Sequence, residues 1–148
     1  MDIRRFGVGH RRPEWPAGTT GIEGQLIESG PAGLISELAF SRHARIVPHT
    51  NPNAVWFVVI EGGGWVGVGE ERARVQAGEA VAWPPDVLHA AWTDGTQMRA
   101  LIVEFMGPVL ALPDGRIQQL TWLERIMVAL RLTNAKLLEA RYYKPVHS

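Results

Sequence analysis

The chain has 148 residues, of which 46% are hydrophobic, so it is long enough to bury one ordinary core. Fifteen basic residues balance fifteen acidic ones, which leaves no global field for phosphate backbones or anionic lipid; neither a nucleic-acid nor a membrane partner is expected. There is no cysteine, which removes disulfides, thiolate metal sites and thiol catalysis and fits a reducing, cytoplasmic compartment.

Residues 1–23 read as an N-terminal arm, charged near its start but with no apolar run behind the charges, so no signal peptide is expected there. From Gly24 to Phe105 the chain is a series of short β-branched and aromatic runs, "GQLIE", "LISELAF", "ARIVPH", "AVWFVVI", "GWVGVG", "ARVQ", "EAVAWP", "HAAWT" and "RALIVEF". Turn signals separate them at Ser29-Gly30-Pro31, Asn51-Pro52-Asn53, Glu61 to Gly64, Pro84-Pro85-Asp86 and Asp94-Gly95. Strands at this spacing predict an antiparallel sandwich or barrel over 24–107. After Pro113-Asp114-Gly115 the period changes: Leu120, Leu123, Met127 and Leu130 recur at helical steps, and Thr121 and Glu124 have capping-box spacing. A second helix is expected from Thr133 or Asn134 to about Tyr142, so 108–148 is read as a helical extension covering a barrel end or joining a dimer.

The chemistry-bearing residues lie in the β region. His49 is followed by Asn51, Asn53 and Val55, and a second histidine, His89, stands behind Gly78 and Pro84. This pattern resembles the cupin family, whose first motif is G, five residues, HxH, three or four residues, E, six residues, G, and whose second is G, five residues, PxG, two residues, H, three residues, N. On this chain the first motif matches at His49 and Gly62, while His43 stands at its opening glycine, Asn51 at its second histidine and Val55 at its glutamate. The second matches at Gly78, Pro84 and His89, with Asp86 for its glycine and Thr93 for its asparagine. The resemblance implies an all-β fold, a double-stranded β-helix or jelly-roll barrel, and a homodimer; the C-terminal α-helical tail read from the period above is added to it.

In metal-binding members three histidines and the glutamate converge on one ion. Here His49 and His89 remain, with Asn51 as a neutral third donor, below the ligand sets of catalytic zinc and of the iron facial triad. The expected cofactor is therefore none, or a weakly bound divalent metal such as zinc, iron, manganese or nickel. His43 lies six residues before His49, too far along an extended strand to share an ion, and is read as a rim histidine. Either Glu37 or Glu104 is a candidate to point inward and restore a carboxylate.

The expected pocket is His49, Asn51, Val55, Phe57, Trp83, His89 and Trp92, an apolar cavity with a few polar groups, while Trp65 is read as packing. Its ligand would be a small organic molecule, and no catalytic residue is assigned. Two alternatives stand beside this: a metal-dependent oxygenase or isomerase using His49 and His89, and a ligand-sensing regulator. A metal-free base made of His89 with Asp86 or Asp94 is a further route, although each aspartate is more simply a turn residue. No phosphate loop or serine elbow is present.

Overall fold

Two long strands organise the molecule. In the computed structural model, which describes residues 1–13 and 18–106 and the backbone of 109–111 and 117–119, they are β3 (Gly33–His49) and β4 (Ala54–Val68). The others are β1 (Arg12–Pro13), β2 (Thr20–Gly30), β5 (Glu71–Gln76), β6 (Ala80–Trp83), β7 (His89–Trp92), β8 (Met98–Phe105), β9 (Val109–Ala111) and β10 (Ile117–Gln119). Every pairing is antiparallel, and no helix occurs among the described residues. The two helices expected beyond Leu120 lie outside the described residues; before them β9 pairs with β10 as a separate ribbon.

Both long strands change partners along their length within one eight-stranded sheet. The first half of β3 pairs with β2 and β8, and its second half pairs with β7. Likewise β4 pairs first with β8 and β6 and then with β7 and β5. The circuit β3, β7, β4, β8 and back to β3 closes a barrel, which leaves no open edge along those strands.

The sequence runs on either side of Glu61 to Gly64 were expected to be separate strands, but they are one bent strand. Gly62 has φ +68, and a Cβ there would collide with the Gln97 carbonyl, so glycine lets β4 turn from its pairing with β8 to its pairing with β7 without a break. The register with β8 shifts at the same point, between Val59 and Glu61. Glycines that look like a loop thus act as a corner.

The core follows the period of two. Val55, Phe57 and Val59 of β4 point inward, whereas Trp56 and Ile60 are exposed. Phe57 has no exposed surface and touches Phe40 edge-on and Trp83 face-on, at 5.9 and 4.9 Å between centroids. On the opposite face of β3, Glu37 is fully buried and bonded to Arg11 at 2.5 Å and Arg99 at 2.9 Å, with Arg99 reaching on to Glu61 at 2.7 Å. Burial pushes the Glu37 carboxyl up, but the two guanidinium groups outweigh it and hold the group below its ordinary value.

The centrality of Phe57 sets a stability prediction. Phe57→Ala is expected to cost about 3–5 kcal/mol of unfolding free energy, read from urea midpoints at unchanged slope. A loss under about 1 kcal/mol would show that the core collapses into the space left.

Candidate functional site

A cavity of about 570 Å³ opens inside the barrel between β3, β4, β7 and β8. His49, Asn51, Val55, Trp83 and His89 line it together, with Glu104, Asn53 and an apolar wall that includes Ile22, Leu38 and Ile102. Two expected residues are not on this lining. Phe57 points to the same side but is sealed behind Trp83. Trp92 is three residues from the inward-facing His89, so strand alternation turns it outward, where it stacks on Trp65 at 6.1 Å and borders a separate groove of about 840 Å³. His43 is exposed, 3.9 Å from Asp94, away from the cavity.

The two histidines face each other across β3 and β7. They are register partners, brought into phase by a one-residue shift between Ile46 and His49. Each imidazole is held by the carbonyl two residues before it: His49 donates Nδ1–H to Val47 at 2.8 Å, and His89 donates Nδ1–H to Val87 at 3.0 Å. A carbonyl only accepts, so both Nδ1 atoms carry the hydrogen and both Nε2 lone pairs turn inward. Those Nε2 atoms are 3.1 Å apart. Two converging acceptors favour something positive between or beside them, whether a proton, a metal ion or a ligand N–H.

Trp83 stacks on His89 at 4.2 Å and fixes its ring. Burial, then the adjacent His49, push the His89 imidazole down to about 4, against the pull of the Val87 carbonyl and Glu104.

Of the two candidate carboxylates, Glu104 is the one that reaches the cavity. It lies directly opposite Val55 in the pairing of β4 with β8, on the face shared with Ile102, whereas Glu37 lies on the outer face of β3. Glu104 Oε1 accepts N–H groups from Asn51 at 2.9 Å and Asn53 at 2.8 Å. The Asn51 amide oxygen accepts the Asn53 backbone N–H at 2.9 Å, a short Asx turn. Both ends of the Asn51 amide are therefore engaged, and reversing it would set oxygen against carboxylate.

This donor set does not fit a resident metal centre. Among the described residues no three histidine, aspartate or glutamate side chains converge to hold an ion. Asn51 has turned its oxygen into its own turn, Val55 is hydrocarbon, and two imidazoles alone fall short of the usual three protein ligands.

Asp86, off the lining itself, braces the Asn51 segment. Its backbone N–H donates to the Asn51 carbonyl at 2.8 Å, and its φ is +60, the left-handed conformation that glycine would adopt freely. Asp86→Gly is expected to hold or raise stability, while Asp86→Val lowers it by about 1–2 kcal/mol in the same urea assay. Equal stability of the two variants would contradict the left-handed turn.

The depressed His89 value has its own consequence. The unfolded imidazole takes a proton near 6.5 and the folded one only near about 4, so between these values the unfolded state binds more protons. Stability should fall as pH drops through that window, by at most about 3 kcal/mol, and the fall should shrink in His89→Gln. Chelator-treated protein unfolded in urea at pH 7 and pH 4.5 gives the comparison.

Comparison with known proteins agrees with this architecture. Residues 38–105 match the family model described as a cupin domain. The polyketide cyclase RemF from Streptomyces resistomycificus superposes with a TM-score of 0.61 at 16% identity, covering 88% of this chain and 94% of that one. A predicted oxalate decarboxylase from Thermotoga maritima gives 0.63 at 15% identity over 70% and 98%, and KdgF from Halomonas sp. gives 0.51 at 21% over 62% and 87%. No curated protein sequence matches the chain. At these identities the likeness is one of fold. No helix among the described residues is long and apolar enough to cross a membrane.

Proposed function

The chain carries a cupin domain over residues 38–105, and from that premise we propose that it binds a small organic molecule inside the barrel, at a degenerate site built on His49 and His89 with no resident metal. The observation that carries this is the cavity of about 570 Å³, apolar along Ile22, Leu38, Val55 and Ile102 and polar at one end. Its volume falls in the range of small-molecule pockets, about 300–1,000 Å³. Val55 supports the same reading: at the family's glutamate position it removes a metal-binding charge and extends the apolar wall. The histidines, with their Nδ1 hydrogens tied to backbone, present fixed acceptors that orient a ligand.

The full chain, purified without an affinity tag, is expected to hold metal well below one equivalent by elemental analysis, and the His49→Ala/His89→Ala double variant no less. An apolar ligand found by thermal shift should stabilise the wild type by about 2.7 kcal/mol at a hundredfold excess over Kd. Val55→Trp, which fills the cavity, should abolish that response while remaining folded by circular dichroism. About one metal per chain in the wild type and none in the double variant would overturn the metal-free site and support a metal-dependent enzyme.

A further inference from the structure

We propose that the cavity selects an organic cation, a primary or secondary ammonium group carried on an apolar body, with Glu104 as its anionic receptor. This deepens the cavity-binding reading and rests on it.

Glu104 is the starting point. Among the described residues that line the cavity there is no lysine, arginine or aspartate, so apart from the histidines Glu104 is the one ionisable side chain there. Its Oε1 is held by two neutral amides, Asn51 and Asn53, and its Oε2 has no hydrogen-bond partner among the described residues. Amide N–H groups orient a carboxylate without cancelling its charge. Glu37 shows the contrast: it is neutralised by Arg11 and Arg99, and no described residue does the same for Glu104. A carboxylate turned into an apolar cavity gains most from a ligand that brings the missing positive charge.

The neighbouring groups narrow the class. The imidazoles have spent their Nδ1 hydrogens on Val47 and Val87, and Asn51 and Asn53 have spent N–H groups on Glu104. Three acceptors remain beside them, His49 Nε2, His89 Nε2 and Glu104 Oε2; the donors left on the lining are neutral, the Trp83 indole N–H and the hydroxyls of Thr19, Ser36 and Thr50. Among the described residues a bound carboxylate would meet like charge and no fixed cation. An ammonium group, with two or three N–H donors, matches the set.

Quaternary ammonium is disfavoured by the tryptophan. Such a cation has no N–H and depends on open aromatic faces. Trp83 has Phe57 on one neighbouring ring and His89 on another, both stacked, so its faces are already covered. Recognition therefore runs through hydrogen bonds to Glu104.

Three probes of one size test this on the full, chelator-treated chain by calorimetry at neutral pH: 2-phenylethylamine, 2-phenylethanol and phenylacetate. The amine should bind at least about tenfold more tightly than the alcohol, with phenylacetate weakest. In Glu104→Gln the amine should lose about tenfold or more and the alcohol less than about twofold. The wild-type ranking needs no variant, so it stands even if Glu104→Gln is unstable. Phenylacetate binding as tightly as the amine, or an equal loss of all three probes in Glu104→Gln, would overturn the proposal. If alcohol or phenylacetate bind best and Val55→Trp blocks them, the ammonium preference falls while the cavity reading survives; if no probe binds, both fall. Stoichiometric Mn²⁺ or Zn²⁺ binding that competes with the amine and vanishes in Glu104→Gln would give the carboxylate to a metal and overturn the organic cation.

Discussion

The cavity depends on the register of two antiparallel pairings. Residues directly opposite each other in such a pair point to one face, and a slip of one residue sends every side chain to the other. His89 faces His49 because β3 shifts register by one residue between Ile46 and His49; without the shift, the alignment of Ile46 with Ala91 would place Pro48 opposite His89. Glu104 shares the cavity with Val55 because β8 meets the first half of β4 before the Gly62 corner. The barrel thus delivers two imidazoles and one carboxylate to a common space through local irregularities in otherwise regular strands.

Two inward or buried carboxylates of this chain are treated in opposite ways. Glu37 is taken fully out of water and matched by two guanidinium groups, and the N-terminal segment that carries Arg11 is thereby tied to the sheet. Pairs of that kind secure position more than they add net stability, because desolvation offsets much of the attraction. Glu104 is oriented by amides, with no cation beside it among the described residues. A carboxylate with no cation beside it among the described residues adds little to stability, and this is the asymmetry on which the proposed recognition rests.

Much of this was legible in the sequence. Short β-branched runs with turn residues between them identify an all-β chain, and the ordered spacing of Gly62, Gly78, Pro84 and His89 behind His49 identifies the barrel. The orientation of Trp92 was also within reach, since it lies an odd number of residues from His89 on one strand, but its nearness in sequence suggested nearness in space. Asp86 stood at a glycine position of the motif, and its φ of +60 shows the fold keeping the conformation without the residue that adopts it most easily. What single-sequence alternation did not reveal was long-range: that β4 runs unbroken through three glycines, and that Glu104, some fifty residues downstream, pairs with Val55. Register between distant strands is set by tertiary packing, and neither strand encodes it alone.

The departures from the family pattern at positions 51 and 55 are better understood as one change than as two losses. Asn51 stands where the motif has a histidine and Val55 where it has a glutamate, yet the Asn51 amide holds a carboxylate that sits directly across the sheet from Val55. The acid has in effect moved to the neighbouring strand, about 4.7–4.9 Å away. That displacement is large against a metal–ligand bond of roughly 2 Å and small against an organic molecule. Side chains that would be too dispersed to share an ion are well spaced to contact one ligand at several points. The imidazole lone pairs converge and Glu104 lines the same cavity, so a molecule filling that space, as proposed, would meet all three groups where a single ion would not.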